Sequence, residues 1–359
     1  MKDLKTALIG CGRIGFLLED DPLRNKPCTH MGGLHSAGLK ISCACDINRE
    51  RLLQFKEKTN LPEESLYTDH KKMLKEQHFD LVTIATWTES HIPIALDAVE
   101  SGVKAIVLEK PIASSLKSAS HLIDAANSAG CHIFINHERR YDHRYKKTKE
   151  LIDSDKIGKI KTVNARVLTG PYRGESRLES GGGPLLHDGT HLVDLLRFFF
   201  GDVNSVKGEF IRDSRNTGFE DTAIAWIKTD SGINIFLESG GSRKYFHFDL
   251  EIWGTEGKIL IGNGFEKLFL YNKSRLYRGF NDLSEKKFPA MKQVSCFTEI
   301  YKEAKSVIQG KNREITSSMT DGYKALEIIH AIYLSAHKKK EITLPVKPSA
   351  INLKKIFNL

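Results

Sequence analysis

Thr6–Gly15 reads TALIGCGRIG and Cys43–Glu50 reads CACDINRE, and together the two stretches decide the fold. The first is an apolar run that ends in Gly10-x-Gly12-x-x-Gly15 and opens a helical segment. That spacing suits a dinucleotide. The first glycine makes the tight turn, the second lets backbone approach a diphosphate, and the third lets helix and strand pack closely. The diphosphate then sits on the N–H groups and positive dipole end of the helix, so Gly10, Gly12, Arg13, Ile14 and Gly15 are the candidate cofactor loop. The second stretch ends a β-type run with Asp46. A carboxylate there accepts hydrogen bonds from the adenosine ribose and repels a 2′-phosphate, which favours NAD. Arg49 and Arg51 follow closely, and a guanidinium in that place receives a 2′-phosphate, so NADP stays open.

The spacing departs from the usual pattern: 31 residues separate Gly15 from Asp46, where about 20 is common. The excess is Glu19–His30, EDDPLRNKPCTH, mostly polar with two prolines. It reads as a loop interrupting the first helix near its N-terminal end, either a harmless surface insertion or a cover over cofactor or substrate.

Outward from these stretches, Lys5–Ile9, Lys40–Ala44, Leu81–Ala85, Ala105–Leu108 and His132–Ile135 read as strands, mostly continuous in apolar character. That is the pattern of a parallel sheet with helices on both faces. Helical patterns lie at Asn48–Thr59, Lys71–Gln77, Ile92–Ser101 and Leu116–Ala129. This predicts a doubly wound Rossmann domain over residues 1–137. After a charged helix at Arg144–Ser154 the character changes to strands with one-sided alternation: Lys161–Leu168, Val206–Ile211, Thr222–Lys228, Asn234–Glu238, Phe246–Ile252, Lys258–Ile261 and Lys267–Tyr271. Helices are expected at His187–Phe200, Val294–Ile308 and Thr320–Ala336. Residues 138–359 are therefore expected to form an α+β domain with an open, mixed, mostly antiparallel sheet that binds substrate and supports oligomerisation, giving an α/β protein overall.

Composition narrows the class. With 359 residues, 40% hydrophobic and 28% charged, the chain is long enough for two cores and does not read as disordered. Runs such as Leu195–Phe200 are far too short to span a bilayer. The first strand begins within a few residues of Met1, which leaves no signal-peptide pattern and points to the cytoplasm. Six cysteines in no framework spacing read as reduced thiols. The net charge of +9 is spread along the chain without a basic helix, which argues against nucleic acid but suits an anionic small molecule.

Four further motifs carry chemistry: Ala85–His91 (ATWTESH), Glu109-Lys110-Pro111 (EKP), Asn136–Tyr141 (NHERRY) and Gly181–Asp194 (GGGPLLHDGTHLVD). With the glycine loop they resemble the glucose–fructose oxidoreductase, inositol dehydrogenase and rhizopine-catabolism (Gfo/Idh/MocA) family over nearly the whole chain. The resemblance implies that Lys110 lies beside the nicotinamide and the reacting hydroxyl, often before a cis proline, with Glu109 next to it. It also implies that Thr86 and His91 approach the nicotinamide half of the cofactor, and that His191 is the acid/base.

The residue types suit the reaction. Oxidising a secondary alcohol moves a hydride from carbon and a proton from oxygen. Histidine titrates where proton removal is efficient, and an ammonium stabilises the developing alkoxide. Alone, Lys110 reads as a surface lysine before a turn and His191 as a helix histidine bonded to a local carbonyl. Their occurrence with the glycine loop favours the catalytic reading, in which the two groups, from different domains, converge over the nicotinamide. Family members usually carry aspartate four residues before the histidine. Here that place holds His187, with Asp188 one residue later, and either could orient substrate. His187 and His191 also have the HxxxH spacing of metal ligands, but no third ligand is evident and no metal is expected. Trp87, where the family often has proline, reads as a packed core aromatic or as a stacking partner for the nicotinamide. Asn136, Arg139, Arg140 and Tyr172 are candidate substrate contacts, the alternative for the last three being an ion pair or a hydrophobic edge.

The expected activity is an NAD-dependent oxidation of a sugar, nucleotide sugar or cyclitol hydroxyl by a homodimer or homotetramer. The alternatives are an NAD-dependent glycoside hydrolase, a reductase of an imine or other carbonyl, and a non-catalytic cofactor-binding regulator.

Overall fold

The computed structural model describes residues 4–171, 182–212 and 218–357. Its chain divides into two compact units, Met1–Asp142 with Val294–Tyr323 and His143–Gln293 with Lys324–Leu359.

The first unit is built on six parallel strands: β1 (Thr6–Ile9), β2 (Ile41–Cys45), β3 (Leu66–Tyr67), β4 (Leu81–Ile84), β5 (Ala105–Leu108) and β6 (His132–Ile135). Their spatial order is β3-β2-β1-β4-β5-β6, a doubly wound sheet whose direction of winding reverses between β1 and β4. Ala7, Leu8, Val82, Ile84, Ile106 and Val107 are fully buried, as residues between two helix layers must be. The flanking helices are α1 (His30–Ser36), α2 (Arg49–Thr59), α3 (His70–Glu76), α4 (Thr88–Glu100) and α5 (Leu116–Ala129). Asn48 caps α2 by accepting from Arg51 N–H, and Gly130 closes α5 in the left-handed conformation.

The first helix is split, and its hydrogen bonds show how. The amides of His30 and Met31 donate to the carbonyls of Ile14 and Gly15 at 3.0 Å each, so the ladder resumes as if Phe16–Thr29 were not there. The excursion is held by its own polar contacts. Glu19 Oε2 accepts from Thr29 Oγ1 at 2.6 Å and from Cys28 N–H at 3.1 Å. Lys26 Nζ donates to the carbonyls of Leu18 and Asp21. Because α1 is only seven residues long, its sheet face has room for a second helix, Cys296–Ile308. That helix buries Ile300, Tyr301, Ala304 and Val307 against Leu34, Leu81, Val107 and Phe134. At the crossing, a Cβ on Gly33 would lie 2.6 Å from the Phe297 carbonyl oxygen. The chain leaves the first unit after Asp142, where the expected boundary followed His137, and residues 294–323 return to the first unit.

The second unit holds a nine-stranded sheet, of which the central strands are β7 (Ile160–Leu168), β8 (Val203–Ile211), β9 (Thr222–Thr229), β10 (Asn234–Gly240), β11 (His247–Gly254), β12 (Gly257–Gly262) and β13 (Phe265–Lys273). Among the described residues of this sheet only β7 and β10 pair in parallel. Ile227, Ile235, Val163, Ile252, Ile259 and Leu268 lie in register across six strands and are all buried, so one face is a continuous aliphatic row. The opposite face is open: Trp226 (56% exposed) pairs with Phe236, and Tyr271 (55% exposed) pairs with Leu283. The edge strands Asn281–Lys286 and Ile342–Thr343 and the two-residue β3 add to the expected set. No described helix is long and apolar enough to cross a membrane.

Candidate active site

In the first unit every candidate residue follows the C-terminal end of a strand, where open α/β sheets bind ligands. Gly10 ends β1 with φ +98°, and a Cβ there would lie 2.4 Å from the Ala85 carbonyl oxygen. A Cβ on Gly15 would lie 2.2 Å from the Gly10 carbonyl oxygen, so that glycine is forced by close packing. Gly12 differs: a Cβ there would meet nothing within 4 Å. Its lack of a side chain serves space outside the protein. Among the described residues no protein acceptor takes the amide N–H of Gly12, Arg13, Ile14 or Gly15. Successive unclaimed donors above an open glycine suit a diphosphate. Asp46, at the end of β2, accepts from Cys11 N–H at 2.7 Å and from Asn48 N–H at 2.8 Å, one bond on each carboxylate oxygen. Arg49 is ion-paired with Glu63.

After β4, Thr86 is half-buried and Trp87 is 50% exposed. Trp87 takes the N-cap position of α4, which its side chain cannot satisfy, so its ring stands at the surface and the reading as a packed core aromatic does not hold. His91 is buried, with Nδ1 2.9 Å from the Pro111 carbonyl and Nε2 3.0 Å from the Thr86 carbonyl. It thereby joins the loop after β4 to the loop after β5. Burial holds its pKa below the usual imidazole value, against the two carbonyls, which favour the charged ring.

After β5 come Glu109 and Lys110, and the Lys110–Pro111 peptide is cis. Glu109 is buried. Its Oε1 accepts from Asn136 Nδ2 at 2.6 Å and lies 3.0 Å from His30 Nε2, while Oε2 accepts from Lys110 N–H at 3.3 Å. Burial alone would raise its pKa. The bond from His30 and its charge, then the charge of Lys110 and the Asn136 bond, outweigh that and bring it to about 2, so it is an anion. Asn136 Oδ1 is buried and meets no donor among the described residues.

The NHERRY segment divides in two. Arg140 is structural: Nη1 donates to the Thr316 carbonyl at 2.9 Å and pairs with Asp321 at 3.2 Å. Tyr141 donates to Glu303 at 2.5 Å. Glu138, at the same strand end, is partly exposed; burial raises its pKa, and the charges of Arg139 and Lys110 lower it. Sequence reasoning passed over Glu138, and also His30 and Tyr301. The signal for Glu138 was a carboxylate in the strand-end motif itself; for His30 and Tyr301 there was none, since their partners are 79 and 271 residues away.

In the second unit Pro184–His187 and Gly189–Phe200 are two helices joined at Asp188, where one helix was expected. The side chain of Asp188 lies 3.4 Å from His187 Nδ1, and its carbonyl accepts from His191 N–H. Both His187 and His191 are partly exposed. Buried Glu220 accepts from Leu185 N–H at 3.0 Å and from Tyr333 OH at 2.9 Å, which fixes the turn that carries them. A Cβ on Gly183 would lie 2.2 Å from Glu220 Oε2, and one on Gly189 would lie 2.8 Å from Ser239 Oγ, so the glycines of this motif make room for the helix. Among the described residues no group of three His, Cys, Asp or Glu side chains is arranged to hold a metal. Tyr172 lies outside the described residues.

The comparisons with known proteins agree on both halves. Residues 4–137 match the oxidoreductase family with an NAD-binding Rossmann fold, and residues 145–260 match the GFO/IDH/MocA C-terminal domain. The chain is 25% identical over 356 residues to myo-inositol 2-dehydrogenase of Thermotoga maritima, covering 95% of this chain and 98% of that one. It is 26% identical over 356 residues to D-apiose dehydrogenase of Paraburkholderia graminis, covering 96% and 90%. The fold of the WlbA dehydrogenase of Bordetella pertussis, solved with NADH and UDP-GlcNAcA, superposes with a TM-score of 0.77 at 21% identity, covering 96% and 100%. With both halves matched in order, and with the glycine loop and Asp46 set for the cofactor, the chain is an NAD-binding oxidoreductase of the Gfo/Idh/MocA family.

Proposed function

We propose that the enzyme is an NAD-dependent dehydrogenase of a cyclitol, sugar or nucleotide sugar, acting at a secondary hydroxyl. The observation that carries the reading is the meeting of two features in one unit: the open loop Gly12–Gly15 with Asp46, and Lys110, whose backbone N–H donates to the ionised Glu109 carboxylate. Relatives named for myo-inositol and D-apiose support the substrate class. Bound NAD supplies the hydride acceptor, and the chain supplies position and proton transfer.

In this reading the Gly12–Gly15 amides hold the diphosphate, Asp46 the ribose hydroxyls, and Thr86, Trp87, His91 and Glu109 shape the nicotinamide end, His91 through the two loops it joins. His191 takes the hydroxyl proton on its imidazole, and the Lys110 ammonium stabilises the oxygen as charge develops. His187 or Asp188 orients the substrate. Asn136 Oδ1 and Arg139 face its other hydroxyls, and Tyr172 is a further candidate contact. Charge spread over the surface favours an anionic substrate. The open sheet face of Trp226 and Tyr271 is where a second subunit packs, giving a homodimer or homotetramer. Six free cysteines suit a reducing cytoplasm.

The test is a panel of inositols, free sugars and nucleotide sugars incubated with NAD and followed at the nicotinamide absorbance. Accumulating NADH with one class supports the reading. Cleavage of an aryl glycoside without net NADH indicates the transient-oxidation alternative, and NADH binding with no turnover on any class indicates a regulator.

A further inference from the structure

A buried polar chain stands behind Lys110. His30 Nε2 is 3.0 Å from Glu109 Oε1, His30 Nδ1 is 2.7 Å from the Tyr301 hydroxyl, and that hydroxyl is 2.9 Å from Thr83 Oγ1. His30, Tyr301 and Thr83 are fully or almost fully buried. The ionised carboxylate only accepts, so Nε2 carries the hydrogen. Nδ1 has a partner in either state of the ring: neutral it accepts from the Tyr301 hydroxyl, and charged it donates to that oxygen, which also bonds Thr83 Oγ1. Every link is satisfied, and the chain ends at Thr83 inside β4, so it is no route for protons to solvent. Its effect is to fix a carboxylate. The backbone of His30 is held as firmly, since its N–H donates to Ile14 of the cofactor loop at 3.0 Å.

We infer that His30 is a positioning residue, which with Tyr301 locks the Glu109 carboxylate and through it the placement of Lys110 and Asn136. The inference rests on the reading of Lys110 given above. Among the described residues the Glu109 carboxylate makes three hydrogen-bond contacts, to Lys110 N–H, to Asn136 Nδ2 and to His30, and His30 is the one that comes from the helix layer. Without His30 the carboxylate loses a charge-assisted bond and the constraint on its rotamer. Asn136 Nδ2 then has no fixed acceptor, and the orientation of Oδ1 is released.

The test uses the full-length enzyme with NAD bound, in the variants His30→Leu, His30→Gln and Tyr301→Phe. Isotope-coded acetic anhydride and mass spectrometry give the acylation rate of Lys110 relative to exposed Lys117, and NADH affinity is read by fluorescence. His30→Leu is expected to change the relative rate of Lys110 at least threefold while NADH affinity stays within twofold, because the backbone bond to Ile14 is kept. Tyr301→Phe should shift it in the same direction by about half as much. His30→Gln, which keeps a donor toward Glu109, should return it to within twofold of wild type. Unchanged Lys110 reactivity in folded His30→Leu and Tyr301→Phe overturns the inference, as does a rise spread over all lysines, which marks general loosening. If His30→Leu does not fold, Tyr301→Phe decides. The two readings fail separately: full turnover in Lys110→Met sinks the catalytic role, whereas the acylation result does not depend on it.

Discussion

The amide of Cys11 donates to Asp46 Oδ2 at 2.7 Å, across 35 residues of sequence. The loop proposed to hold the diphosphate and the carboxylate proposed to hold the ribose are thereby tied directly to each other. Asp46→Ala removes this bond and the one to Asn48, each charge-assisted and worth about 1.5–3 kcal/mol. The expected outcome is a loss of NAD affinity of at least tenfold, with discrimination against NADP reduced. Arg49 is tied to Glu63 in an exposed ion pair, which holds it weakly. Adding Glu63→Gln should therefore improve NADP use further, as titration of both cofactors will show.

Two glycines of one motif should behave oppositely. Gly12→Ala places its Cβ in open space, so thermal stability is expected to stay within about 2 °C of wild type, under the shift of a 1 kcal/mol change, while NADH affinity falls. Gly15→Ala drives its Cβ to 2.2 Å from the Gly10 carbonyl oxygen, and the loop must move. Calorimetry should show a loss on the order of 2–4 kcal/mol, as for other overpacked sites.

The excursion Phe16–Thr29 closes on Glu19. Removing that carboxylate in Glu19→Ala leaves Thr29 Oγ1 and Cys28 N–H without their acceptor. Urea unfolding should report a loss of about 1–3 kcal/mol. A cover over the cofactor would in addition lower NADH affinity, and unchanged affinity would make the excursion a surface insertion.

Acid should erode stability in two stages. A group whose folded pKa is depressed contributes stability above its unfolded pKa and loses it as pH falls. Burial depresses the pKa of His91 from 6.5, so its contribution fades below about pH 6.5. Glu109 falls from 4.5 to about 2, so its contribution fades between those values. For Glu109 this amounts to about 3 kcal/mol. The pH slope of the urea midpoint below pH 4.5 should be smaller in Glu109→Gln than in wild type.

Much of this was legible in the sequence where chemistry is local. Gly10, Gly12, Gly15 and Asp46 declare a binding turn through spacing alone, and the apolar runs of β1, β4 and β5 declare a buried parallel sheet. The excess before Asp46 was legible as an interruption, because two prolines among Asp, Asn and Thr break a helix. What the sequence concealed is long-range packing. Nothing near Tyr301 says that its hydroxyl meets His30, and the amphipathic stripe of Cys296–Ile308 fits many sheets. Trp87 misleads for a similar reason: bulk suggests burial, but at the start of α4 its ring is half exposed while the neighbouring Thr88 is buried.

The account stands or falls on Lys110. The most direct measurement is the rate of NADH formation by Lys110→Met with the substrate that the panel identifies, set beside its NADH dissociation constant. Turnover is expected to fall at least a hundredfold while NADH affinity stays within twofold of wild type. Turnover equal to wild type at unchanged affinity would contradict it.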